Sequence, residues 1–384
     1  MSDSDVLSYA ELKVDVLCNG VAYAEGFLPA YAARPDWIGK RRAYGNSDLA
    51  QFGTTKVPQE FRLKDGTICS ANFVPSSPYQ LSISEEGPYL LDTRKDTAFQ
   101  IRFPLEPKAY AFDLSNGRPF KEVATYYGET TLGFFNPGHC YYFDEGTQCR
   151  FCSLGPAREE TDHVMKVLPG LAQEAVRLSA ELDGDRVVRT LINGGNARNY
   201  DRGFGNQTRL AVALAEVNRE FLGGRLTNHL IAMPPKDFEL MKPLHGVVDR
   251  LAMSLEIYDP ELFAEICPGK HRDFGRDRFL DAYSAAVGVL GPGRVYVGLV
   301  AGLEPVESVV EAMWRFGEQG VVPAIAVFHP GRGSIFETYP RPRPEDILAI
   351  GREMQKVYRK FDFTAFIESS GRNSIDTEAQ RYAF

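Results

Sequence analysis

The chain has no long apolar run, no basic block and few cysteines, and each shortage excludes something. No apolar stretch in its 384 residues approaches the roughly 20 that a membrane span needs, so no membrane partner is expected. Lys and Arg number 43 against 51 Asp and Glu, for a net charge of −8, and nowhere gather into a block. That balance argues against a nucleic-acid partner. The start, Met1-Ser-Asp-Ser-Asp5, lacks the basic and then apolar pattern of a secretory signal, and a cytoplasmic location is expected. In a reducing compartment clustered cysteines more often hold metal than pair with each other. A Gly-x-Gly-x-x-Gly phosphate loop is also absent.

What is present is an ordinary globular composition, 44% hydrophobic and 24% charged, whose pattern changes near residue 130. Before that point short alternating segments are punctuated by turns. Phe61–Leu63 and Thr67–Phe73 flank Asp65-Gly66 as a hairpin, Gln80–Ser84 and Tyr89–Leu91 flank a second turn, and Ala98–Phe103 stops at Pro104. Residues 1–125 therefore read as a β-rich N-terminal accessory domain. After residue 130 short apolar strands alternate with amphipathic helices. Strands are predicted at Thr131–Phe135, Val187–Ile192, Leu226–Ala232, Arg250–Ile257, Val295–Val300 and Val322–Phe328. Helices are predicted at Leu168–Leu182, Thr208–Leu222, Lys236–Leu244, Arg276–Leu290 and Val306–Gln319. Six strand–helix units make an α/β fold, a partial (β/α)6 TIM-like barrel over 126–335. Residues 336–384 follow as a helix (Pro344–Arg359) and a tail packing on the barrel.

The cysteines are the informative feature. Cys140, Cys149 and Cys152 fall within thirteen residues, just after the first barrel strand, while Cys18, Cys69 and Cys267 are scattered singly. Reactive groups in such folds collect at the carboxyl ends of strands. Three soft thiolates on one loop hold a thiophilic metal and leave one position open. A structural zinc site with His139 as fourth ligand is the bland alternative, although adjacent side chains seldom both turn onto one metal. A three-cysteine [4Fe–4S] cluster with one open iron accounts for the odd count. Cys267 has no evident partner in the sequence and is not counted as a ligand.

With its place after the first strand, this loop resembles that of the radical S-adenosylmethionine (radical SAM) superfamily, although the family's usual first gap is three residues and here it is eight. The long gap and the β-rich front further resemble a radical SAM subgroup found with nitrilase-type proteins in bacteria. The resemblance covers roughly residues 120–335. It implies a [4Fe–4S] cluster held by Cys140, Cys149 and Cys152, with S-adenosylmethionine chelating the open iron. Phe151 would pack near the adenine. Asn193-Gly194-Gly195-Asn196 matches the Gly-Gly-Glu-type motif for the methionine amino group, with Asn196 in place of the acid. Ser254 and Glu256 match the ribose- and methionine-binding strand. Ala301, Gly302 and Glu304 match a shortened adenine motif.

Lys270, His271, His329 and Arg332 lie in mouth loops and are candidate contacts for an anionic small-molecule substrate. The stretch Tyr141–Gln148 is expected to arch near the mouth and shape the pocket. No second cysteine cluster and no cobalamin-binding Asp-x-His-x-x-Gly occur, which disfavours enzymes with auxiliary clusters and cobalamin methyltransferases. The implied activity is cleavage of S-adenosylmethionine to a radical that abstracts hydrogen, in a rearrangement, lyase, dehydrogenation or cyclisation. The implied reducing partner is flavodoxin or ferredoxin. The alternatives are a zinc-stabilised barrel hydrolase or aldolase, and a non-catalytic iron–sulfur scaffold.

Overall fold

A computed structural model describes residues 8–39, 56–155, 166–368 and 370–384. The Met1–Asp5 start lies outside the described residues. Among these residues no helix is long and apolar enough to cross a membrane.

The N-terminal part forms a six-stranded sheet from β1 (Ala22–Tyr23), β2 (Glu60–Leu63), β3 (Ile68–Ser70), β4 (Tyr79–Ser84), β5 (Gly87–Asp92) and β6 (Thr97–Arg102), ordered β1-β4-β5-β6-β2-β3. Both predicted hairpins are present, β2 with β3 and β4 with β5. Helices Tyr9–Asn19, Phe27–Ala32 and Phe120–Val123 do not follow from the alternation of the sequence, and the longest is Tyr9–Asn19. It buries Leu12, Lys13, Val14, Val16 and Leu17 and so shows no continuous polar stripe. Its start is nonetheless written in a capping box, in which Ser8 accepts from the Glu11 amide and Glu11 returns the bond.

The second sheet contains β7 (Thr125–Tyr127), β8 (Thr131–Phe135), β9 (Arg189–Asn193), β10 (Thr227–Ile231), β11 (Arg250–Glu256), β12 (Val295–Ala301) and β13 (Val321–Val327) in sequential order. β8 to β13 run parallel, and β7 pairs antiparallel with β8. This sheet curls into a half barrel, the α/β fold expected from the alternation of strands and helices. Nearly every residue of β12 and β13 is apolar and buried, as parallel strands covered on both faces require. The helix Tyr200–Leu222 begins eight residues before its predicted start, capped by Asn199. Gly203 and Gly205 in its first turns hide the start; a side chain at Gly203 would strike Ala197. The interval predicted as a helix at Lys236–Leu244 is a 3-10 turn, Phe238–Leu244, interrupted by Pro243.

The chain after the helix Pro344–Phe361 returns beneath the barrel. Arg189, first in β9, donates to the Glu368 carbonyl at 2.6 Å, and Arg250, first in β11, donates to the Phe366 carbonyl at 3.2 Å. The Thr130 and Thr131 hydroxyls meet Ser370 at 2.9 and 3.1 Å. Ser374 then bridges to Ala326 of β13, while Ser70 of β3 donates its amide to Arg372 at 3.2 Å. The tail thus joins the last barrel strand to the N-terminal sheet.

Candidate functional site

The carboxyl ends of the parallel strands open onto one cavity of about 510 Å³. Cys140, Cys149 and Cys152 line it together, as do Phe151, Asn193, Gly194, Gly195, Asn196, Ser254, Glu256, Lys270, Val300 and His329. The topology alone brings these together, since they come from four strand ends and the cysteine loop.

The cysteine loop is held from both sides. Tyr141 donates its amide to the Asn196 carbonyl at 2.9 Å, and Gly195 donates to Pro137 at 2.9 Å. The other flank ties Arg150 to the Ile266 carbonyl at 2.9 Å and Gly269 to the Thr147 carbonyl at 3.0 Å. A β-carbon at Gly194 would run into the Asn136–Pro137 backbone, and one at Gly195 would fall on the His139 carbonyl. The glycine pair therefore lets β9 approach the loop that carries the thiols. The eight-residue gap is a compact turn in which Tyr142, Phe143 and Gln148 face the cavity. The Tyr142 hydroxyl meets Tyr200, and that of Tyr141 meets Asp273.

Burial raises the Cys140 and Cys152 thiols above their ordinary value. Cys149 moves the other way, lowered by a hydrogen bond from Cys267. Cys267 therefore has a partner that its sequence neighbourhood did not reveal: it is buried against Cys149 in the turn between helices Pro260–Ile266 and Pro268–Asp273. Among the described residues no three His, Cys, Asp or Glu side chains converge closely enough to hold a metal ion. The donor set is nonetheless three soft thiols on one wall, the composition an iron–sulfur cluster takes, with Cys149 turned aside toward Cys267. His139, the proposed fourth zinc ligand, is bonded through Nε2 to Asp144 at 2.8 Å and is not among the lining residues.

Glu256 finds its partner within the chain. Its carboxylate meets Lys270 at 2.8 Å, and Lys270 also donates to the Ser254 carbonyl at 2.7 Å. Burial disfavours the Lys270 cation, but Glu256, Cys149 and Cys267 outweigh it and hold the ammonium above its usual range. Glu256 adopts φ of 77° at a bulge in β11, an uncommon conformation for a non-glycine residue that turns its side chain at the strand end.

Three predicted cofactor contacts lie elsewhere. Ala301, Gly302 and Glu304 do not line the cavity. Glu304 accepts the Tyr258 and Asp259 amides at 2.9 Å each and the Ser308 hydroxyl at 2.6 Å, so it ties β12 to the connection after β11. Burial pushes its carboxyl above the ordinary range against those donors. Of the four mouth-loop candidates Lys270 and His329 line the cavity, whereas His271 and Arg332 are exposed outside it. His329 accepts or shares a bond with Arg341 at 2.9 Å. The sequence reading missed Gln59, Ser70 and Asn72 of the N-terminal sheet and Arg372 and Asn373 of the tail, all on the cavity wall. No spacing signal joins residues 300 positions apart.

No protein-family profile matches the chain. A bacteriochlorophyllide c C-7(1)-hydroxylase from Chlorobaculum limnaeum is 26% identical over 290 residues, covering 72% of this chain and 69% of that protein. Among solved structures, a radical SAM methyltransferase from Sphaerobacter thermophilus superposes with a TM-score of 0.44 at 14% identity, over 78% of this chain and 82% of its own. HydG, a maturase of the [FeFe]-hydrogenase, gives a TM-score of 0.47 at 16% identity, over 67% of this chain; the chain spans 58% of HydG's length. A loop of three thiols follows the first of six parallel strands, packs on a glycine pair at the end of the second and faces the cavity at the strands' carboxyl ends.

Proposed function

We propose that this chain is a radical SAM enzyme in which Cys140, Cys149 and Cys152 ligate three irons of a [4Fe–4S] cluster, and that Gly194, Gly195, Asn196, Ser254 and Glu256 receive S-adenosylmethionine beside it. When bound, these cofactors supply reductive cleavage to methionine and a 5′-deoxyadenosyl radical, which takes a hydrogen atom from a carbon of the substrate. The chain's own residues orient and shield that chemistry. Phe151 and Val300 offer apolar surface for the adenine in the cavity. Phe143, Leu154 and Phe328 close the wall and exclude water from a reactive carbon centre.

The outcome for the substrate is a rearrangement, lyase, dehydrogenation or cyclisation, and the relative's name adds hydroxylation, which also replaces a carbon-bound hydrogen. A cytoplasmic location and a flavodoxin or ferredoxin donor accompany this reading.

The observation that carries it is the sharing of one cavity by all three thiols and the glycine pair packed on their loop. Anaerobic purification and reconstitution test it. The expected result is a brown protein with about four irons per chain that releases 5′-deoxyadenosine when dithionite is added. A reconstituted protein that released none, with Cys140→Ala changing neither iron content nor colour, would overturn it.

A further inference from the structure

The wall opposite the cysteine loop is polar, buried and built from outside the barrel. Gln59, Ser70 and Asn72 reach it from the N-terminal sheet and Arg372 and Asn373 from the tail. Gln59, Ser70 and Asn72 are 2%, 5% and 4% exposed. Ser70 donates its hydroxyl to Asn72 Oδ1 at 2.9 Å and Gln59 donates to Glu60 at 3.4 Å, so the wall is held in place by its own bonds and presents polar rather than apolar atoms to whatever fills the cavity.

The ionic groups around the cavity are already matched. Glu256 holds Lys270 at 2.8 Å, and Arg372 holds the buried Glu60 at 3.2 Å. Glu60 is held in turn by the Gly128 amide at 2.9 Å. A charged substrate group would have to break one of these pairs or remain uncompensated in a desolvated site.

Two acceptors lining the cavity, by contrast, lack donors: Asn193 Oδ1 at the end of β9 and Gln148 Oε1 on the cysteine loop are buried without a hydrogen-bond partner. Asn193 is 6% exposed, and its side-chain amide meets the Tyr127 hydroxyl, whose ring carries the Arg372 guanidinium at 5.4 Å. Its side chain thus belongs to the polar wall, while its backbone belongs to the glycine motif. The space is small for two guests, since about 510 Å³ must also admit S-adenosylmethionine.

We propose that the substrate is a small, uncharged molecule carrying N–H or O–H donors, seated between the cysteine loop and the wall of Asn72, Asn193 and Asn373, and not a macrocycle of the kind named for the hydroxylase relative. This rests on the radical SAM reading of the same cavity. The N-terminal sheet is then part of the substrate site.

The test uses full-length reconstituted enzyme with dithionite and S-adenosylmethionine, reading 5′-deoxyadenosine. A small-molecule ultrafiltrate of cells that carry the gene is divided by anion and cation exchangers. The flow-through is expected to raise release several-fold over the substrate-free rate, and bacteriochlorophyllide c is expected to leave it unchanged. Asn72→Ala and Asn373→Ala are expected to lower the ratio of stimulated to substrate-free release several-fold, with iron content measured alongside. Stimulation confined to an exchanger-retained fraction, stimulation by bacteriochlorophyllide c, or none from the flow-through overturns the substrate class. The wild-type partition requires no variant to fold. Absence of any release, stimulated or not, overturns the radical SAM reading as well, which separates the two failures.

Discussion

The two walls of the cavity are built on opposite plans. One is local: Cys140, Cys149, Cys152 and the Gly194-Gly195 pair sit at neighbouring strand ends, with backbone bonds from Tyr141 to Asn196 fixing their distance. The other is assembled from afar, from a hairpin at residues 59–72 and a tail at 372–373, with every strand of the barrel sheet between them in the chain. The first wall carries thiols and glycines, residue types with few alternatives for metal binding or close approach. The second carries amides and matched charges, which any surface might hold. On the proposed reading, the reaction chemistry stays on the barrel and selectivity is set by what covers it.

The largest expected effect lies on the thiol wall. Cys152→Ala removes a proposed ligand that nothing else on the loop replaces, and reconstituted protein is expected to lose its iron absorbance and all 5′-deoxyadenosine release. Next comes the charge pair. Lys270→Met leaves Glu256 without its buried partner, at a cost of about 3–5 kcal/mol in denaturant unfolding. Adding Glu256→Gln is expected to return much of that stability without returning S-adenosylmethionine affinity. If the double variant bound as tightly as wild type, the pair would be structural only.

Gly195→Ala comes third. The new methyl meets the His139 carbonyl, and overpacking of this kind costs about 1–3 kcal/mol. Because the strain falls beside Cys140, cluster retention in a chelator challenge is expected to fall with the melting temperature. Glu304→Gln separates structure from binding. It should cost about 1–2 kcal/mol through weakened capping bonds while leaving the calorimetric affinity for S-adenosylmethionine in place. Its pH dependence has a definite sign. The folded carboxyl titrates above the ordinary 4.5, so the native state takes up this proton before the unfolded chain does. The Glu304 contribution is fully present below 4.5 and declines as pH rises through the folded value, and the stability advantage of wild type over the Gln variant should shrink accordingly.

The smallest effect concerns Cys267. In metal-free chain, Cys149 is expected to alkylate before Cys140 and Cys152, and Cys267→Ala should remove that lead by deleting the donor that lowers its thiol. Peptide mass spectrometry after brief iodoacetamide exposure reads it directly.

The contrast between the walls also explains what the sequence made legible. The six parallel strands alternate with amphipathic helices, and β8 and the helix Arg276–Leu290 fall on their predicted limits. The thiols and glycines announce themselves by type and order. Glu304 misleads for the same reason: it occupies the place of a family acid, yet three local donors claim both its oxygens. Lys270 was foreseen as a substrate cation, but helix Pro268–Asp273 folds it back onto Glu256, fourteen residues earlier. The amide wall left no trace, because its pairing exists only after Ser70 and Arg372 meet.

The returning tail sets an order of assembly. Ribosomes make every barrel strand before Glu368, Ser370 and Arg372, so a nascent chain can curl its sheet and present its thiols while one flank is still open. Docking of the tail onto Arg189, Thr131 and Ser70 then joins that flank to the N-terminal sheet and adds Arg372 and Asn373 to the cavity wall in one movement. A chain halted before Ser370 would have the cysteine loop but lack Arg372 and Asn373 of the cavity wall.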